Sequence, residues 1–266
     1  MSSPKSSGWS SSGPPEAPAP NFGLHARHYA AYRPTYPAEI YDRLVEAIGA
    51  PRRHAIDLGA GTGQATGDLL ARFERVTAVE PDAAMAALIR PDARLEVRVE
   101  AAEDAVFRDG AADAVVAATA LHWMDQDMMV RRAAGWLRPG GGLLAFAYGP
   151  AKVVSPAAAE HEILRRYHDW RNNWHERLSA WRPYEGVLRD AGVFRSVTGF
   201  SVDVDFHWTG EQTAGFFLST SYGASFARGP GDETGYNAGL ASTLDAAAHH
   251  GPIHVRFPVE AALGIV

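Results

Sequence analysis

Arg53-His54-Ala55-Ile56-Asp57-Leu58-Gly59-Ala60-Gly61-Thr62-Gly63-Gln64 is the stretch that decides the fold. Its first half is a short apolar run, the pattern of a buried strand. Its second half sets glycine at alternate positions before a helical sequence opens at Gln64. Glycines there let the backbone turn sharply and come close to a ligand, and the amides that begin the next helix are free donors. Outward from this turn the alternation repeats. Residues 64–73 read as helix, 75–80 as strand, 81–89 as helix with Pro81 at its first turn, and 95–99 as strand. Residues 113–118 form a continuous apolar strand, 128–137 a helix stopped by Arg138-Pro139-Gly140-Gly141-Gly142, and 143–148 another strand. Strand and helix alternating at this spacing give right-handed βαβ units and an open, parallel α/β sheet.

Beyond Pro150 the texture changes. Residues 156–180 and 183–191 read as helices, 197–208 and 251–259 as strands, and 210–219 and 238–250 as further helical segments. The two late strands are expected to pair antiparallel at the sheet edge, with the helices of 157–191 as a lid. Residues 1–21, mostly Ser, Pro and Gly, carry too little apolar side chain to offset their ordering entropy and read as a disordered tail. The expected organisation is therefore a tail, a core over 22–150, and a lid with closing strands over 151–266.

Composition narrows the chemistry. Of 266 residues, 46% are apolar, enough for a sizeable core. A net charge of −6 disfavours nucleic-acid binding, which needs a surplus of Lys and Arg. No cysteine is present, so there is no thiolate nucleophile and no sulfur-ligated metal. There is neither an apolar leader near the start nor a run long enough to span a bilayer, so a soluble, cytoplasmic protein without membrane partners is expected.

The glycine loop has an acidic partner. Glu80 ends the next strand, 21 residues after Gly59, where a carboxylate can accept both hydroxyls of a ribose. A dinucleotide fingerprint would need a third glycine where Gln64 stands, so a NAD-dependent oxidoreductase is the weaker reading. Asp57 followed by Gly59, Gly61 and Gly63 instead resembles the first motif of class I S-adenosylmethionine-dependent methyltransferases. Val79-Glu80-Pro81-Asp82-Ala83-Ala84-Met85, Glu100-Ala101-Ala102-Glu103-Asp104 and Leu137-Arg138-Pro139-Gly140-Gly141 are similar to later motifs of that family. Tyr29-Ala30-Ala31-Tyr32-Arg33-Pro34-Thr35-Tyr36-Pro37 and Leu121-His122-Trp123 narrow the resemblance to small-molecule methyltransferases related to trans-aconitate methyltransferase. It covers residues 22–150 well and the remainder loosely.

The resemblance implies a Rossmann-like, seven-stranded sheet with helices on both faces, a helical lid insertion, and S-adenosyl-L-methionine as cofactor. It implies that Asp57, with Gly59, Gly61 and Gln64, faces the amino-acid end of the cofactor, and that Glu80 holds the ribose beside Pro81. Met85, Ala102 and Glu103 would lie near the adenine, Ala101 standing where the family often has Asp. Arg33 and Tyr29 would close on the methionine carboxylate, and the Thr119 backbone would meet the ammonium. His122, at a strand end facing the ligand crevice, is the candidate general base; a loop-organising histidine is the alternative.

Ile163, Tyr167, Trp170 and Trp174 share one helical face and read more readily as core than as acceptor pocket. His161, Leu164, His168 and His175 form a neighbouring stripe that reads as solvated surface. Arg165, Arg166, Arg171, Arg177 and Arg182 make the region basic, with a solvated face as the default reading. No carboxylate cluster suggests a metal. The function expected is methylation of a small molecule, with oxygen of a hydroxyl or carboxylate favoured as acceptor. Carbon or nitrogen methylation, and a cyclase-type reaction of natural-product synthesis, remain as alternatives. The oligomeric state has no signal in the sequence.

Overall fold

The computed structural model describes residues 25–171, 181–228 and 232–266. The expected tail lies outside them, as do Trp174, His175 and Arg177 and the side chains of His168 and Arg171. Within them the chain runs α1 (Ala26–Tyr32), α2 (Ala38–Ile48), β1 (His54–Leu58), α3 (Gln64–Leu70), β2 (Arg75–Val79), α4 (Ala83–Ala86), β3 (Leu95–Arg98) and β4 (Ala112–Ala118). A 3-10 turn at Leu121–Trp123 leads into α5 (Gln126–Trp136), β5 (Leu137–Tyr148), β6 (Lys152–Ser155) and α6 (Ala157–Arg171). The remaining elements are α7 (Tyr184–Ala191), β7 (Ser196–Trp208), α8 (Gly210–Leu218), α9 (Ser221–Arg228), α10 (Glu233–Ala247) and β8 (Ile253–Ile265).

The strands form one eight-stranded sheet, ordered β3-β2-β1-β4-β5-β8, with β6 and β7 also paired to β8. Strands β1 to β5 pair parallel. Only β8 runs the other way, pairing antiparallel with β5, β6 and β7. This is the mixed α/β sheet expected, with one strand more than the seven anticipated. The addition is β6, four residues extending the β5 side of β8.

Two further departures have local causes. Strand β5 starts at Leu137, through the glycine turn, because Ala112 already pairs with Leu137 across a register shift. Strand β8 continues to Ile265 instead of ending at 259. Its last five residues are all buried, so the period of two that marks a half-exposed strand disappears there.

Every residue of β1 is buried, as a central strand covered on both faces requires. One face packs α2 and α3, through Ile40, Tyr41, Leu44 and Leu69. The opposite face packs α5 and α7, through Met129, Val130, Trp136, Val187 and Leu188. Helix α7 was expected in the lid, but it lies in this core layer. A third cluster joins α6, α8 and α10 to the first half of β8, with Ile163 and Trp170 buried and Tyr167 partly so. Arg165 and Arg166 pair with Glu162, and Arg182 pairs with Asp127 and Asp190, so these three bases have surface partners. Arg138, in the glycine turn, ties Asp113 to the carbonyls of Ile48 and Pro51, a structural role.

Candidate functional site

The site lies at the carboxyl ends of β1, β2 and β4, the place where open parallel sheets bind ligands. After Leu58 the chain turns through Gly59 at φ 66°, Gly61 at φ 59° and Gly63 at φ 90°, all in the left-handed region. A Cβ on Gly59 would sit 2.6 Å from the Ala120 Cβ, so glycine is needed there for close approach as well as for conformation. The Gly59 and Ala60 amides both reach the Val79 carbonyl, clamping the turn to the end of β2. Glu80 completes the clamp. Its Oε2 accepts the Gly61 N–H at 2.8 Å and its Oε1 the Asp82 N–H at 2.9 Å. Asp82 in turn caps α4, accepting from the Ala84 and Met85 amides. Burial raises the Glu80 carboxyl above its ordinary pKa, against the pull of those two N–H groups.

Asp57 is sealed beneath the turn. Its Oδ2 accepts the Thr66 hydroxyl at 2.7 Å, while Oδ1 is buried with no hydrogen-bond partner among the described residues. Burial, reinforced by Glu80, pushes its pKa up to about 7. An unsatisfied, desolvated carboxylate oxygen costs free energy unless a cation or donor arrives, so the site is chemically matched to a positively charged group.

A cavity of 390 Å3 opens above these residues. Tyr29, Gly59, Gly61, Gln64, Glu80, Pro81, Met85, Ala102, Glu103 and Thr119 all line it, so ten of the residues singled out in the sequence converge. Glu103 has a second job: its side chain accepts the Asp125 N–H at 3.1 Å and its carbonyl accepts from Arg132. Arg33 and His122 lie elsewhere, in a second cavity of 340 Å3. The two cavities share Tyr29, Thr119 and Trp123 as their common wall.

Thr119 stands in that wall at φ 54°, a left-handed conformation unfavourable for a β-branched residue. Its amide donates to the Phe146 carbonyl at 2.6 Å, and its hydroxyl bonds the Tyr36 hydroxyl at 2.9 Å. Strain held in place by such contacts is characteristic of functional positions.

The second cavity is lined by aromatic side chains, including Trp123, Tyr148, Tyr167, Phe216 and Tyr222. Arg33 enters it from the end of α1, its guanidinium 4.9 Å from the Tyr29 ring centroid and 5.4 Å from that of Phe216. One Arg33 N–H reaches the Ser219 carbonyl at 3.3 Å, and its buried Nε has no partner among the described residues. His122 is 7% exposed, and its Nδ1 lies 2.7 Å from the Tyr184 hydroxyl. Burial, then the nearby Arg33 charge, lowers its pKa to about 4, so the imidazole is neutral at physiological pH.

Sequence reading passed over Tyr36 as a site residue, although it stands in the quoted Tyr29–Pro37 segment. It also passed over Tyr184 and the lining from α8 and α9, where aromatic residues carry no spacing that separates pocket from core. Among the described residues, no group of three or more His, Asp or Glu is placed to hold a metal ion. No helix among them is long and apolar enough to cross a membrane.

Comparison with known proteins agrees with this geometry. Residues 56–145 match the profile of a methyltransferase-domain family. A methyltransferase of Dictyostelium discoideum is 26% identical over 212 residues, covering 78% of this chain and 79% of that protein. An uncharacterized methyltransferase of Mycobacterium tuberculosis is 38% identical over 124 residues, which is 46% of this chain and 50% of that one. The mycobacterial and fungal matches thus span about half the length of those relatives. A solved type II methyltransferase from Anaeromyxobacter dehalogenans superposes with a TM-score of 0.69 at 27% identity, covering 88% of this chain and 98% of that one. A Haemonchus contortus N-methyltransferase solved with S-adenosylhomocysteine shares the fold, with a TM-score of 0.50 at 16% identity over 90% of this chain and 57% of that one. A glycine turn clamped by one carboxylate, a second carboxylate buried beneath it with one oxygen unpartnered among the described residues, and these matches together support an enzyme that is an S-adenosylmethionine-dependent methyltransferase.

Proposed function

We propose that this methyltransferase acts on a small molecule, with an oxygen of a hydroxyl or carboxylate as the acceptor. In this reading the cofactor occupies the 390 Å3 cavity and the acceptor the 340 Å3 cavity. The observation that carries it is the shared wall of Tyr29, Thr119 and Trp123, which brings a carboxylate-bearing cavity against an aromatic one of small-molecule size.

Glu80 accepts the ribose hydroxyls, and Asp57 faces the cationic amino group, directly or through water. Gly59, Gly61 and Gln64 lie under the amino-acid end, while Met85, Pro81, Ala102 and Glu103 bound the adenine. Arg33 and Tyr29 sit where the carboxylate of the amino-acid end and the acceptor meet, beside Thr119. When bound, the cofactor supplies an electrophilic methyl group on a sulfonium. The chain's own contribution is placement: acceleration of an in-line transfer comes largely from holding the acceptor against that methyl in a dry, shaped cavity.

Incubation of the full chain with methyl-labelled cofactor and a set of small hydroxy and carboxylic acids tests this. Label in the small-molecule fraction is the expected result. Label only in protein, or a metabolite altered without label, would overturn it in favour of a protein substrate or a cyclase-type reaction.

Asp57 makes cofactor affinity pH-dependent. Its folded pKa is raised, so the empty site holds a proton up to about pH 7. A cationic ligand prefers the ionised form. Affinity should therefore rise by up to about tenfold per pH unit as the pH climbs toward 7, then level off. The same shift means the empty protein loses stability from Asp57 as the pH rises from the ordinary carboxylate range through about 7, because the unfolded carboxyl ionises first. Glu80 shifts in the same direction, so Asp57→Asn should flatten the binding profile without abolishing the slope. A flat profile in the unaltered protein would contradict the assignment.

A further inference from the structure

The hydrogen bond between His122 and Tyr184 has two possible directions, and their surroundings select one. Tyr184 begins α7 directly after Pro183 and is buried in the core layer with Val187, Leu188 and Ala191. Its phenol keeps its proton, because burial raises its pKa well above the ordinary value. Among the described residues, its hydroxyl makes one hydrogen bond, to His122 Nδ1 at 2.7 Å. An hydroxyl oxygen has two lone pairs and one hydrogen. The phenol hydrogen therefore has one acceptor within reach among the described residues, His122 Nδ1. In the opposite direction, Nδ1–H would donate to the phenol oxygen, and the buried phenol hydrogen would have no acceptor among the described residues. A buried unsatisfied donor of that kind costs about 1–3 kcal/mol.

A neutral imidazole carries one hydrogen, and if Nδ1 accepts, that hydrogen is on Nε2. Nε2 makes no hydrogen bond among the described residues, and His122 lines the 340 Å3 cavity beside Trp123 and Arg33. We infer that Tyr184 is a positioning residue that fixes His122 as an Nε2–H donor pointing at the acceptor molecule, in place of the proton-accepting base suggested by the sequence. His122 then holds and orients a lone pair on the acceptor and takes no proton from it. The acceptor is accordingly one whose reacting atom needs no deprotonation by this imidazole. The role in acceptor binding rests on the assignment of this cavity to the acceptor, but the tautomer does not.

The test is a long-range proton–nitrogen correlation spectrum of the full chain labelled with nitrogen-15, recorded without cofactor or acceptor. His122→Gln identifies the signals. The expected pattern is an unprotonated Nδ1 and a protonated Nε2, unchanged between about pH 5 and pH 8, the interval in which an ordinary histidine changes charge. The groups that bear on this ring are the Arg33 guanidinium and the Tyr184 phenol, and burial holds the phenol's pKa well above this interval. Tyr184→Phe should remove the preference, giving mixed tautomers. A protonated Nδ1 in the unaltered protein, or an imidazole that titrates within that interval, would overturn the inference. Because the readout needs no turnover, failure of the methyl-transfer reading leaves it standing or falling separately. Once an acceptor is identified, kcat should show no limb from an imidazole base, and Tyr184→Phe should lower kcat/KM about tenfold, the value of one such hydrogen bond.

Discussion

Glu80→Ala should weaken binding of S-adenosylhomocysteine at least a hundredfold while the chain remains folded. The Glu80 oxygens already accept the Gly61 and Asp82 amides, and each keeps lone-pair capacity toward the 390 Å3 cavity it lines. Two ribose hydroxyls donating to an ionised carboxylate are worth about 1.5–3 kcal/mol each, so losing both costs more than two powers of ten in affinity. The Gly61 turn also loses its tether, which adds to the loss. Against this, removing a carboxylate whose ionisation is already disfavoured by burial relieves part of the folding cost. The melting temperature should therefore fall by only a few degrees. Titration calorimetry beside a thermal melt reads both effects; full affinity in a folded variant would remove Glu80 from the site.

Gly59→Val should be more damaging, because it attacks stability and site together. Valine would have to adopt φ 66°, and its Cβ would lie 2.6 Å from the Ala120 Cβ and 3.1 Å from the Met124 Cε. A β-branched residue in the left-handed region and an overlap of this size each cost on the order of 1–3 kcal/mol. The push falls on Ala120, next to the strained Thr119 in the wall shared by both cavities. A loss of about 3 kcal/mol or more in denaturant unfolding is expected, with no measurable cofactor binding. Gly67→Ala is the contrast: in α3, with nothing within 4 Å of a new Cβ, it should gain up to about 1 kcal/mol from helix propensity. Similar effects at both glycines would show that the Gly59 contact is not what matters.

The parts of the molecule legible in its sequence are those where local chemistry and global position agree. Asp57-Leu58-Gly59-Ala60-Gly61 reads as strand and turn because the apolar run, the glycines and the helix start all lie within a few residues. Glu80 follows from its register, one strand along from that turn. Ten of the twelve expected cofactor contacts line one cavity because these short βα loops leave little freedom in where they point. Asp57 is missing from that lining because it lies underneath, where its effect is electrostatic.

The aromatic cavity was less legible for the same physical reason in reverse. Tyr148 meets Phe216 and Tyr222 in one cavity although it is distant from both in sequence, and an aromatic residue on a helix has the same local pattern whether it faces core or ligand. Tyr184 looks like an ordinary first-turn residue of α7; only the fold brings its hydroxyl to His122, 62 positions away. The number of strands was missed at β6, where Lys152–Ser155 has one buried residue and three exposed ones.

A crystal structure of the full chain with S-adenosylhomocysteine would test the central claim most directly. The account predicts ribose hydroxyls on Glu80, the amino group above Asp57, and the sulfur at the wall of Tyr29, Thr119 and Trp123, open toward His122. A nucleoside bound away from Glu80, or a sulfur facing away from the aromatic cavity, would contradict it.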